Sequence, residues 1–122
     1  MSTVESQLSV QAKAIADRVD PEKVGFDPFT ILTIITQVLP MLLQCFDQST
    51  AMDDPNTVTA RLQVMHDRNP DALRRRTARR IRAEADEPMT RSASFELARA
   101  TIDQALTASD DVAIACYSEA DA

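Results

Sequence analysis

One glycine, Gly25, one histidine, His66, and no tryptophan are the scarcities that bound this 122-residue chain before any pattern is read. Loops that wrap phosphates need several positions where the backbone takes positive φ or approaches a ligand closely. A single glycine therefore excludes a P-loop and a dinucleotide fingerprint. A single histidine excludes most histidine-based metal sites and leaves acid–base work to carboxylates or to that one ring. Oxygen ligands at calcium-loop spacing are also missing. No cofactor, no metal and no enzymatic activity are expected.

Cysteine is nearly as scarce. Cys45 and Cys116 form no C-x-x-C pair, and each sits in an apolar stretch, so both read as buried, reduced thiols. The opening MSTVESQLSV has no basic region followed by an apolar core, so no signal peptide is expected. These features suit a cytoplasmic or particle-associated protein, a virion included, that is not secreted. His66 precedes Asp67, but spacing places no serine or cysteine beside them, and His66 reads as a boundary residue. Asp53-Asp54 and Asp110-Asp111 each precede a helix and read as caps.

What the chain does have is helix formers: Ala, Leu, Arg, Gln and Met are plentiful and strand signals are weak. The length suits one domain with one modest core. Val4, Leu8, Ala12, Ile15 and Val19 form a narrow apolar stripe that predicts an amphipathic helix over residues 1–20, free to pack locally or pair with another chain. Residues 21–27 read as a linker. Asp27-Pro28 then gives a cap and a proline at the first helical position. From Phe29 to Phe46 there is no charge at all.

This apolar helix is the strongest feature of the chain. Thr30, Thr33, Gln37 and Gln44 fall on one stripe, and Ile31, Ile34, Ile35, Leu39, Leu42 and Leu43 supply an apolar interface or core. Pro40 should kink or break the helix. A membrane span is disfavoured, because five Thr and Gln side chains lower the hydropathy and the flanks are Asp27 and Asp47 instead of basic residues.

Asp54-Pro55 and Asn69-Pro70 repeat the cap-then-proline device and open helices to about His66 and Asp86. The second should bury Leu73, Thr77, Ala78, Ile81 and Ala85. Ser92 is a plausible cap for a helix burying Phe95, Leu97, Ala98, Ile102, Ala105 and Leu106, and Asp110 for a last one, helix being favoured over strand by context. The expectation is an all-α bundle of five or six helices, with a helical core over 28–116 and a frayed acidic tail over 117–122.

Charge is strongly polarised. Residues 61–82 hold eight arginines against Asp67 and Asp71, a balance of +6, so the remainder carries −12 to give the overall −6. A helical wheel puts Arg75, Arg79 and Arg82 outside, Arg76 and Arg80 on a flank and Arg74 in the apolar arc. As a solvated face, these arginines would be neutralised by i, i+4 pairs of Arg80 with Glu84 and Arg82 with Asp86. As a binding surface, Arg75, Arg76, Arg79, Arg80 and Arg82 would meet phosphate or an acidic partner.

The expectation is a non-enzymatic helical subunit of a larger, for example virus-like, assembly, self-associating through the apolar helix and the basic stripe. The alternative is a nucleic-acid-binding regulator, since a helix, the turn DRNP and an Arg-rich helix outline a helix-turn-helix. No Asn or Gln accompanies the arginines to read base edges, and the acidic remainder repels DNA.

Overall fold

The computed structural model describes residues 6–44 and 58–121, and it is all-α, with no strand among the described residues. Among the described residues seven helices follow in order: α1 (Gln7–Asp17), α2 (Pro21–Val24), α3 (Pro28–Leu43), α4 (Val58–Arg68), α5 (Pro70–Glu84), α6 (Arg91–Thr107) and α7 (Asp110–Asp121). The expected caps at Asp53-Asp54 and the thiol Cys45 lie outside the described residues.

The count exceeds six because the expected linker contains α2. Asp20 accepts from the Glu22 amide at 3.0 Å, Pro21 opens the turn, and Gly25 closes it at φ 80°, its N–H donating to the Pro21 carbonyl at 2.8 Å. Only a residue without Cβ takes that left-handed conformation cheaply. The short helix matters because it drops Val24 into the core. Leu8, Ala12 and Ile15 of α1 join the same cluster and Val19 packs against it, so this part of the stripe is used within the chain; Val4 lies outside the described residues.

Of the two expectations for helix α3 at Pro40, a break does not occur. Its helical bonding continues to Leu43, and the Gln44 amide donates to the Pro40 carbonyl at 3.1 Å. Proline in a helix interior costs about 3 kcal/mol. Here it lies in the last turn, where full burial of Leu39, Leu42 and Leu43, each worth about 1.5–3 kcal/mol, outweighs that loss. Thr33 and Gln37 face solvent, and the Thr33 hydroxyl donates to the Phe29 carbonyl at 3.0 Å. α3 packs on α1, α4, α5, α6 and α7.

Two caps shift from their expected residues. α6 is capped by Thr90, whose Oγ1 accepts from the Ala93 amide at 3.1 Å, and Ser92 is exposed. α7 is capped by Ser109, whose Oγ accepts from the Val112 amide at 3.2 Å, with Asp110 and Asp111 in the first turn. In both cases the capping side chain lies one or two residues earlier than the pattern suggested, because a residue already inside the helix cannot turn its oxygen back to the free amides.

The acidic end is structured instead of frayed. α7 runs to Asp121, and Glu119 reaches the start of α1, accepting from the Ser6 hydroxyl, the Leu8 amide at 3.0 Å and the Gln7 amide at 3.2 Å. A carboxylate at a helix N-terminus satisfies orphan donors and meets the positive end of the dipole. The Ser6 hydroxyl first, and then the Leu8 amide, hold the Glu119 carboxyl below its ordinary range. A lowered folded pKa means the contribution is complete above the ordinary Glu range and is lost as pH falls through the folded value. Glu119→Ala should therefore cost up to about 1 kcal/mol at pH 7, the exposed end of the capping range. The gap between variant and wild type, read by urea titration, should close as the pH is taken well below 4.

Candidate functional site

The arginines expected at the site are divided by their neighbours into three unlike groups. The first is formed where α4 meets α5. Asn69 alone separates these helices, and its side chain accepts from the Ala72 amide at 3.1 Å, capping α5 with Pro70 at its first position. The tight corner leaves a groove of about 330 Å³ whose rim carries Arg68, Arg75, Arg76 and Arg79. Its apolar lining is Met65, Ala72 and Leu73, and among the described residues no acidic side chain lines it. Arg75 and Arg79 are exposed, with no hydrogen-bond or ion-pair partner among the described residues. Arg68, which comes from α4, was not among the expected site residues. Its position seven residues before Arg75, across a helix boundary, hides it from a single-helix wheel.

The other two groups leave the expected site. Arg80 turns to α3, its Nε donating to Met41 Sδ at 2.9 Å. Arg82 is half-buried, not external: its Nη1 donates to Ser94 Oγ at 2.7 Å, while the Ser94 hydroxyl donates to the Arg91 carbonyl at 2.8 Å. Ser94 is fully buried, so Arg82 fastens α5 to α6. The expected i, i+4 pairs with Glu84 and Asp86 are not formed, since Arg80 and Arg82 are engaged elsewhere. Arg74 lines a separate cleft of about 20 Å³ with His66, Arg99 and Asp103.

Ile31, Ile34, Ile35, Leu39, Leu42 and Leu43 are at most 2% exposed, so the apolar helix gives all six to the core of its own chain. Association through them would require the bundle to open. Phe29, at 75% exposure, and Val64, at 52%, are the large apolar side chains left outside among the described residues.

The remaining chemical groups are quiet. Cys116 is a buried free thiol, pushed up to about 11 by burial, with Glu119 adding to the shift, and is held as the unreactive thiol. His66 Nδ1 is shielded from solvent, lies 3.7 Å from Asp67 Oδ1 and makes no hydrogen bond; the same Asp67 oxygen accepts from Gln63 Nε2 at 2.9 Å. Among the described residues no three His, Cys, Asp or Glu side chains gather as a metal site, and no helix is long and apolar enough to cross a membrane.

A helix-turn-helix sets its two helices apart by a turn of three or four residues, whereas Asn69 is the whole connection between α4 and α5. No known family model, curated protein or solved structure matches the chain.

Proposed function

We propose that the chain is a non-enzymatic helical subunit of a larger protein assembly, such as a virus-like particle, and that it docks acidic protein surfaces in the α4–α5 groove. The observation that carries this reading is the combination of four rim arginines, no lining carboxylate among the described residues and an apolar floor of Met65 and Leu73. A phosphate site needs charge alone, whereas a floor of this kind rewards an apolar anchor between acidic residues. Arginine suits the task because its guanidinium grips carboxylates bidentately and sheds water more readily than an ammonium. The burial of the α3 residues moves the association surface of this reading from the apolar helix to the groove.

The test is fluorescence anisotropy with a labelled acidic amphipathic helical peptide and, separately, a DNA duplex of about 20 base pairs. Wild type should bind the peptide at low salt. Arg75→Glu with Arg79→Glu should weaken it at least tenfold while leaving the circular dichroism unchanged, since both side chains are exposed. Unchanged affinity in the double variant, or a clear preference for the duplex, would overturn the reading.

A further inference from the structure

The molecule carries a second surface opposite in charge to the groove. Beyond the C-terminal end of α5, Asp86 and Glu87 meet Asp27 around a hollow of about 270 Å³ that also includes Gly25, Phe26 and Thr30. Asp86 and Glu87 are exposed and have no hydrogen-bond or ion-pair partner among the described residues. Asp27 caps α3, bonded to the Thr30 hydroxyl and amide, and those bonds hold its carboxyl below its ordinary range. It is therefore charged at neutral pH. Two residues on stands Phe29, 75% exposed.

The two surfaces complement each other in kind. One is acidic, with the exposed Phe29 two residues along the chain from Asp27; the other sets arginines over an apolar lining. Val64, the second exposed apolar side chain, lies four residues before Arg68 and so on the same face of α4 as the groove rim. The groove arginines belong mainly to the first half of α5 and the acidic group follows its end, a separation on the order of 15 Å. Neither surface obstructs the other.

We propose that the occupant of the groove is the acidic end of a second copy of this chain. Asp86 and Glu87 of one copy face Arg75 and Arg79 of the next, and Phe29 packs on Met65 and Leu73, within reach of the guanidinium faces. This rests on the docking role of the groove given above. Because the two surfaces differ, the contact is heterologous, and repetition gives an open filament or a closed ring, not a symmetric dimer.

Charge gives the association a signature. Each copy carries −6, so if net repulsion governed the encounter, salt would favour assembly. Local matching of carboxylates with arginines gives the opposite, assembly that weakens as salt is added.

The experiment uses light scattering behind a sizing column on wild type and two variants. One variant disables the groove (Arg75→Glu, Arg79→Glu); the other disables the acidic end with neutral side chains (Phe29→Ser, Asp86→Asn, Glu87→Gln), so that no reversed charge pair is created, and leaves the Asp27 cap intact. Wild type should exceed the 13.5 kDa monomer at low salt, grow with concentration and fall back at high salt. Each variant alone should be a monomer with unaltered circular dichroism. Mixed in equal amounts they should form a species of twice the monomer mass and nothing larger, because one working groove then meets one working acidic end. Assembly surviving in either variant, a mixture that stays monomeric, or a wild-type dimer that does not grow would each overturn the proposal. A wild type that stays monomeric at every salt yet binds the acidic peptide would refute self-docking while leaving the groove's docking role intact.

Discussion

Ile35→Ala should lower the unfolding free energy by about 2–5 kcal/mol, whereas Phe29→Ala, six residues earlier in the same helix, should change it by less than about 0.5 kcal/mol. Both residues are large, apolar and within a charge-free run, so sequence alone treats them alike. Their environments are opposite: Ile35 is 0% exposed and Phe29 75%. Truncating Ile35 removes its transfer free energy and leaves a hole that neighbours fill only in part. The α3 surroundings are crowded on every side by α1, α4, α5, α6 and α7, which restricts such collapse. A domain of this length has a total stability of about 5–15 kcal/mol, so the loss is a large fraction of it. By thermal denaturation it should appear as a drop of about 4 °C per kcal/mol, on the entropy scale of a chain this long. A small effect at Ile35 would mean that α3 is loosely packed within one chain and available to partners, the role its uncharged length suggested.

That contrast shows where the sequence was legible. The cap-and-proline pairs Asp27-Pro28 and Asn69-Pro70 locate the starts of α3 and α5 because their physics is local: a side-chain oxygen reaches amides at most three residues away. The inner faces Leu8, Ala12, Ile15 and Leu73, Thr77, Ala78, Ile81 follow from helical periodicity for the same reason. What stayed hidden depends on distant residues. Glu119 looks like part of an acidic tail until α1 is placed beside it, 111 residues away along the chain. Arg82 lies on the solvent side of α5 by rotation alone, but α6 folds back over that end and brings Ser94 to it.

The candidate site follows the same division. Its arginine supply is visible as a count, but which arginines share a groove is decided by the corner at Asn69 and by the reach of α3 and α6. Arg75, Arg76 and Arg79 stay on the groove while Arg80 and Arg82 are drawn to Met41 and Ser94. Arg68 enters from the other helix. The acidic hollow was less legible still, since Asp27 and the Asp86-Glu87 pair are far apart in sequence and neither reads as more than a cap or a helix stop.

The second large effect is expected in α6. Ala98→Leu should destabilise by about 1–3 kcal/mol, although it adds apolar surface to an apolar position. α6 packs most extensively on α5 and also meets α1, α2, α3 and α4. It does so with small side chains: Ala93, Ser94, Ala98, Ala100, Thr101 and Ala105 are all buried. The Thr101 hydroxyl is satisfied within the helix, donating to the Leu97 carbonyl at 2.7 Å, so it demands no partner from a neighbour. Small, satisfied side chains let other helices approach closely, and Ala98 at 0% exposure has no free volume beside it for three more carbons. The neighbouring Arg99→Leu should change stability by no more than about 0.5 kcal/mol, because that side chain is 63% exposed and its contact with Glu96, 3.9 Å away, is a surface pair. Urea titration of the two variants side by side decides the point. If Ala98→Leu were neutral or stabilising, α6 would have a cavity along it, and the close packing that positions α5, and with it the arginine groove, would have to come from α3 and α4.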